Sequence, residues 1–147
     1  YYLARHVSTF EDSDVTPESF KEAYNANLAN GLGNLVSRIM TLAEANLDAP
    51  VVRPEYEDME EYFAMLNNFE INKAANYVWE KIGALDREIQ EKKPWETKDK
   101  EVIAGLALKL YSVARRVTVF MPETSAKIKA LIVANKKPSE PLFLRKD

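Results

Sequence analysis

The sequence predicts an all-α fold, a bundle of about five helices. Three observations point there. Apolar residues recur at helical spacing over most of the 147 residues, prolines fall between the periodic segments, and nowhere do apolar and polar residues alternate as in a half-buried strand. A composition 46% hydrophobic and 29% charged is ordinary for a globular chain of this length, which is enough to bury one core. No internal repeat or low-complexity tract is present.

Each element carries its own signal. "YYLARHV" has no basic n-region and no apolar h-region, so it is not a signal peptide. It reads as the tail of a helix begun earlier, and we expect the chain to be a piece of a longer protein. "STFEDSDV" is a polar connector. Thr16, Pro17 and Glu18 then form a helix start: an oxygen to cap, proline at the first position, acid in the first turn. This helix should run to about Asn46. Pro50 and Pro54 mark a loop, and a shorter helix is expected from about Glu55 to Asn67. The next runs from about Glu70 to Lys92, with Ile71, Ala74, Ala75, Val78, Ile82, Leu85 and Ile89 on one stripe. "EKKPWETKDK" interrupts at Pro94. A further helix spans about Asp99 to Phe120, apolar on Val102, Ile103, Leu106, Leu110, Val113 and Val117. "MPET" restarts a shorter one through Ile128, Leu131 and Ile132. The basic tail should be extended, with Leu142 to Leu144 tacked onto the body. The expected division is 1–15 as the end of a linker helix plus connector, 16–134 as the bundle, and 135–147 as an extended tail.

Much chemistry is excluded by inventory. His6 is the single histidine and there is no cysteine, so neither a His-based metal site or triad nor a thiolate site can be assembled. No phosphate-binding glycine loop occurs, because Gly31-Leu32-Gly33 lies inside a helix rather than after a strand. Glu60 and Glu61 read as a solvated helix face. No run of about 18 apolar residues exists, so no membrane helix is expected. The net charge of −3 and a pI near 5.4 argue against a protein that coats nucleic acid. Lysines and arginines at 92, 93, 98, 100, 115, 116, 136 and 137 still leave room for a local contact with one RNA loop.

Two stretches stand out. "NANLANGLGNLVSR" holds four asparagines and two glycines where a packing helix would favour Ala, Leu, Glu and Lys. At about 100° per residue, with Phe20 at zero, Tyr24, Leu28, Leu32, Leu35, Ile39 and Leu42 share an arc of roughly 40–120°. Asn27, Asn30, Asn34 and Arg38 share another, at roughly 280–360°. Gly31 then lies between the two faces and Gly33 away from both. Asn and Arg offer fixed donor–acceptor edges suited to bases. In "KKPWETK", Trp95 occupies a polar loop, where indole is unusual, and it could either fold back onto the bundle or present a stacking surface. Trp79, inside a periodic helix, reads as core.

Together these features resemble the anticodon-binding domain of the methionyl-tRNA synthetases, a family of class I aminoacyl-tRNA synthetases. The resemblance covers nearly the whole chain. "YYLARHVSTFEDSD" is similar to the segment leaving the catalytic half, "NANLANGLGNLVSR" to an N-x-x-L-x-N-x-L-G-N-L-x-x-R signature, and "KKPWETK" to a Pro-Trp loop. "MPETSAKI" and "EPLFLRKD" resemble closing segments. The resemblance implies a class I anticodon-binding bundle that reads C-A-U. Asn34 and Arg38 would contact bases, Trp95 would stack on the first anticodon base, Pro94 would stiffen its loop, and Asn30 would support the site; Asn27 is left as structural.

The chain departs from the family at Asp86, where asparagine is usual; an acid facing RNA would oppose phosphate unless a partner such as Arg87 compensated it. H-I-G-H and K-M-S-K-S are absent, so this stretch should bind and not aminoacylate. ATP and magnesium, and any zinc of the parent, would belong to the missing catalytic half. The implied partners are methionine tRNA and that catalytic domain, in the cytoplasm, with no membrane. Two other readings share some features: the anticodon domain of a sister class I synthetase, and a protein-docking bundle anchored by Trp95.

Overall fold

One long helical rod organises the bundle. The computed structural model describes residues 1–7, 15–53 and 57–147. Its elements are α1 (Tyr2–His6), α2 (Pro17–Ala23), a π-helical segment (Tyr24–Gly33), α3 (Asn34–Asn46), α4 (Glu60–Asn67), α5 (Ile71–Lys92), α6 (Pro94–Thr97), α7 (Lys100–Val117) and α8 (Pro122–Ala134). Among the described residues there is no strand, and about five long helical stretches form the body, as the periodicity predicts.

The rod starts where the sequence says. Thr16 Oγ1 accepts from the Ser19 N–H at 3.0 Å, and the Thr16 N–H donates to Ser19 Oγ at 3.1 Å, a reciprocal cap with serine in the third position. Asp99 caps α7 in the same spirit, accepting from the N–H groups of Glu101 and Val102. The core lies where α7 packs against α3, α5 and α8. Leu32, Leu35, Val36, Ile39, Ile89, Ile103, Leu106, Leu110, Ile128 and Ile132 are all buried in it. The stripes on α5 and α7 bury as expected, with only Ile71 and Val102 partly exposed. Trp79 is core: Tyr1 packs on it at 4.7 Å and the Arg5 guanidinium lies 5.1 Å from its ring centre, which seats α1 on α5.

Three expectations are corrected. The rod is not α-helical throughout, because residues 24–33 take the wider π turn. Asparagine and glycine weaken the α form there, while Leu28 and Leu32 still reach the core. The helix expected from Glu55 starts later, at Glu60; residues 54–56 lie outside the described ones, and 57–59 are not helical. Glu57 is drawn instead to Ser112, Arg115 and Arg116, and Asp58 accepts from the Glu60 N–H at 3.0 Å, opening α4. The "STFEDSDV" connector also falls outside the described residues, apart from Val15. In the tail, Leu142 and Phe143 pack on the core, but Leu144 is exposed.

Candidate functional site

Trp95 is presented by a sharp local fold. Lys93 (φ 42°) and Lys98 (φ 52°) both take the left-handed conformation and bracket a single helical turn, α6, where the sequence suggested a loop. Each costs roughly 1–2 kcal/mol relative to an ordinary conformation. The turn is held by Glu96 N–H to Lys93 O (2.9 Å) and Lys98 N–H to Pro94 O (3.0 Å). Pro94 is buried beneath, and the Trp95 ring stays 42% exposed. The ring borders a shallow concavity of about 300 Å³ lined by Ser37, Arg38, Thr41, Leu42 and Ile89.

Arg38 reaches this concavity from α3. Its guanidinium carbon lies 5.9 Å from the centre of the Trp95 ring. Nη1 donates to Asp86 Oδ1 at 2.8 Å. With its amide oxygen turned to the guanidinium, Gln90 accepts from Nη2 at 2.9 Å. Asp86 and Gln90 stand one turn apart on α5 and grip the arginine from one side, with Trp95 nearby. The charge of Asp86 is therefore compensated by Arg38, not by Arg87.

Asn34 and Arg38 are also one turn apart, on α3. Asn34 is exposed and faces a second groove, of about 580 Å³, lined by Asn30, Gly33, Ser37 and the tail from Pro138 to Arg145. Ser37 borders both hollows. The structure thus brings Arg38, Trp95 and Pro94 together, and sets Asn34 and Asn30 in the adjoining groove rather than against the ring.

The remaining asparagines hold the chain's own ends. Asn25 clasps the tail: its Nδ2 donates to Lys146 O at 2.8 Å, and its Oδ1 accepts from the Lys146 N–H at 2.9 Å. Asn27 hydrogen-bonds with the Tyr1 side chain, in keeping with a structural role. The placement of Gly33 is corrected. It is buried, and a Cβ there would meet Leu28 O at 3.0 Å and the Phe143 ring at 3.1 Å. What approaches this glycine closely is the tail.

Three of the lysines that flank Trp95 along the chain are ion-paired: Lys92 with Glu88 (2.6 Å), Lys93 with Glu96 (3.8 Å) and Lys100 with Asp48 (2.7 Å). The Lys100 hydrogen bond and charge hold Asp48 below its ordinary pKa, and hydrogen bonds from Lys109 and Lys92 do the same for Glu88. Among the described residues, no group of three His, Cys, Asp or Glu could hold a metal ion, and no helix is long and apolar enough to cross a membrane.

The comparisons with known proteins agree on one lineage. A family model described as "tRNA synthetases class I (M)" matches residues 1–40. The chain is 32% identical to the methionine–tRNA ligase of Clostridium acetobutylicum over 150 residues, which is 88% of this chain and 23% of that protein. Against the Lactococcus lactis methionine–tRNA ligase the figures are 31% identity, 87% and 22%. Over most of its length the chain is homologous to part of the methionyl-tRNA synthetases. It spans about a quarter of the length of the curated relatives it matches. In fold it is similar to the apo Mycobacterium tuberculosis methionyl-tRNA synthetase, with a TM-score of 0.81 at 21% identity, covering 100% of this chain and 38% of that one.

Within this family frame, Asn34, Arg38, Trp95, Asn30 and Pro94 were legible in the sequence as candidates. Asp86 and Gln90 were not seen as the grip on Arg38. Their one available signal was the i, i+4 spacing on α5, which places both on one face.

Proposed function

We propose that this chain is the tRNA-binding bundle of a methionine–tRNA ligase and that it reads the C-A-U anticodon. The observation that carries the reading is the exposed Trp95 ring with the Arg38 guanidinium 5.9 Å from its centre. An unstacked first anticodon base lies on the indole, a contact worth about 1–3 kcal/mol. Arg38 donates to that base's edge, and it is already aimed by Asp86 and Gln90, so little side-chain freedom is lost on binding. Asn34, one turn earlier, offers both a donor and an acceptor to the next base, and Asn30 continues that polar wall. Pro94 fixes the backbone under the ring.

This chain's residues bind and orient; ATP, magnesium and any zinc belong to the catalytic part of the parent, which is its second partner after the tRNA. Most nearby lysines are already paired, so binding should depend on salt less steeply than in a strongly basic RNA binder. Contacts elsewhere on the same tRNA then add through effective concentration.

The test is titration with a C-A-U anticodon stem-loop and with one altered at the first anticodon base. At least a tenfold preference (about 1.4 kcal/mol) that disappears in Trp95→Ala and in Asn34→Ala supports the reading. Equal binding of both loops contradicts it.

A further inference from the structure

We infer that Asp86 is a specificity-determining residue of this site: its carboxylate accepts from the exocyclic amine of the base stacked on Trp95, beside the donors of Arg38. The inference rests on the anticodon reading above and deepens it.

The ring supplies stacking, which every base can use, so it cannot choose between bases. Choice must come from the polar rim. Arg38 carries donors only and Asp86, ionised, carries acceptors only. The two are paired at 2.8 Å, and the arginine of the pair lies 5.9 Å from the ring centre, which sets a donor beside the ring with an acceptor behind it. Cytosine presents an amine next to a ring nitrogen and a carbonyl, so its amine meets Asp86 while its two acceptors meet Arg38. Uracil has the same size and opposite polarity, and its carbonyl oxygen would face the carboxylate. The site therefore favours an amino base and repels a keto base, with the repulsion built into the acid itself.

Accessibility allows this. The Asp86 side chain is 49% exposed and that of Arg38 27%. Only Oδ1 of Asp86 is engaged by Arg38, and among the described residues no side chain takes Oδ2. The arginine also cancels the acid's charge locally, so a carboxylate is tolerable beside RNA.

A purely positioning role, in which Asp86 only aims Arg38, makes a different prediction. In Asp86→Asn the amide oxygen can still accept from Arg38, while its NH2 can turn to a uracil carbonyl. Wild-type chain, Asp86→Asn and Trp95→Ala would be titrated with stem-loops bearing C-A-U and U-A-U. Reading by Asp86 predicts that Asp86→Asn lowers the C-over-U ratio about tenfold, the scale of one base-edge contact, and does so with a gain in U-A-U affinity. An unchanged ratio, or an equal loss for both loops, overturns the inference and leaves Asp86 as a positioning residue. If the wild type binds neither loop better than an unrelated stem-loop, or Trp95→Ala binds both as wild type does, the anticodon reading itself fails and the inference falls with it.

Discussion

Two arginine–carboxylate pairs in this molecule have the same chemistry and opposite surroundings. Arg116 pairs with Glu57 in an enclosed site, with side chains 5% and 16% exposed; Arg38 pairs with Asp86 at the surface, at 27% and 49%. Around the first, Arg116 also donates to Asp58 O (3.0 Å) and Ser112 O (3.2 Å), Arg115 donates to Glu57 Oε2 (3.2 Å), and the Tyr62 hydroxyl donates to Arg116 O (2.7 Å). These bonds tie the chain ahead of α4 to the end of α7. Around the second, polar edges and an aromatic face are left open to a ligand. The difference teaches that burial, rather than residue type, decides whether an ion pair holds the fold or offers a surface.

Four experiments break or sharpen this contrast. The largest effect is expected from Arg116→Ala, which leaves the Glu57 carboxylate with fewer partners in an enclosed site and should cost about 3–5 kcal/mol in denaturant unfolding. Next, Trp95→Ala should lower affinity for the C-A-U loop by about 1–3 kcal/mol with unfolding changed by no more than about 0.5 kcal/mol. If it unfolds the chain as Arg116→Ala does, Trp95 is part of the core and the contrast is wrong. Third, Arg38→Ala should cost at most about 1 kcal/mol of stability, as a partly exposed pair does, while weakening loop binding.

The smallest effect is the pH dependence of the enclosed pair. Burial pushes the Glu57 pKa up, but hydrogen bonds from Arg116 and Ser112, with the charges of Arg116 and Arg115, outweigh it and hold the group below its ordinary 4.5. A depressed folded-state pKa means that the pair's contribution is present above the unfolded value and is lost as pH falls through the folded one. Acid unfolding followed below about pH 4.5 should therefore be less pH-sensitive in Glu57→Gln than in the wild type, from a lower starting stability.

Legibility in the sequence followed the range of the interactions. The stripes on α5 and α7 were readable because a period of about 3.6 residues is written locally. So was the Thr16 cap, whose partner lies three residues away. The asparagine-rich stretch announced that the α form is weakened, yet nothing local said that a π turn would replace it. With the turn widened, an angular count at the α period misplaced Gly33. Glu57 left its expected helix for partners 55 to 59 residues away, and Arg38 found Asp86 across 48 residues. Trp95 was readable as a candidate from its polar surroundings, whereas its one-turn helix depends on left-handed lysines that carry no sequence signal for it.

The central claim is that ligand contact concentrates at Trp95 and leaves the core untouched. The most direct measurement is 19F NMR of the chain carrying 5-fluorotryptophan at both of its tryptophans, titrated with the C-A-U stem-loop. The account predicts that the Trp95 resonance shifts on binding and loses its solvent sensitivity, while the buried Trp79 resonance holds still. Binding of the loop with Trp95 unmoved, or with Trp79 shifting instead, would contradict it.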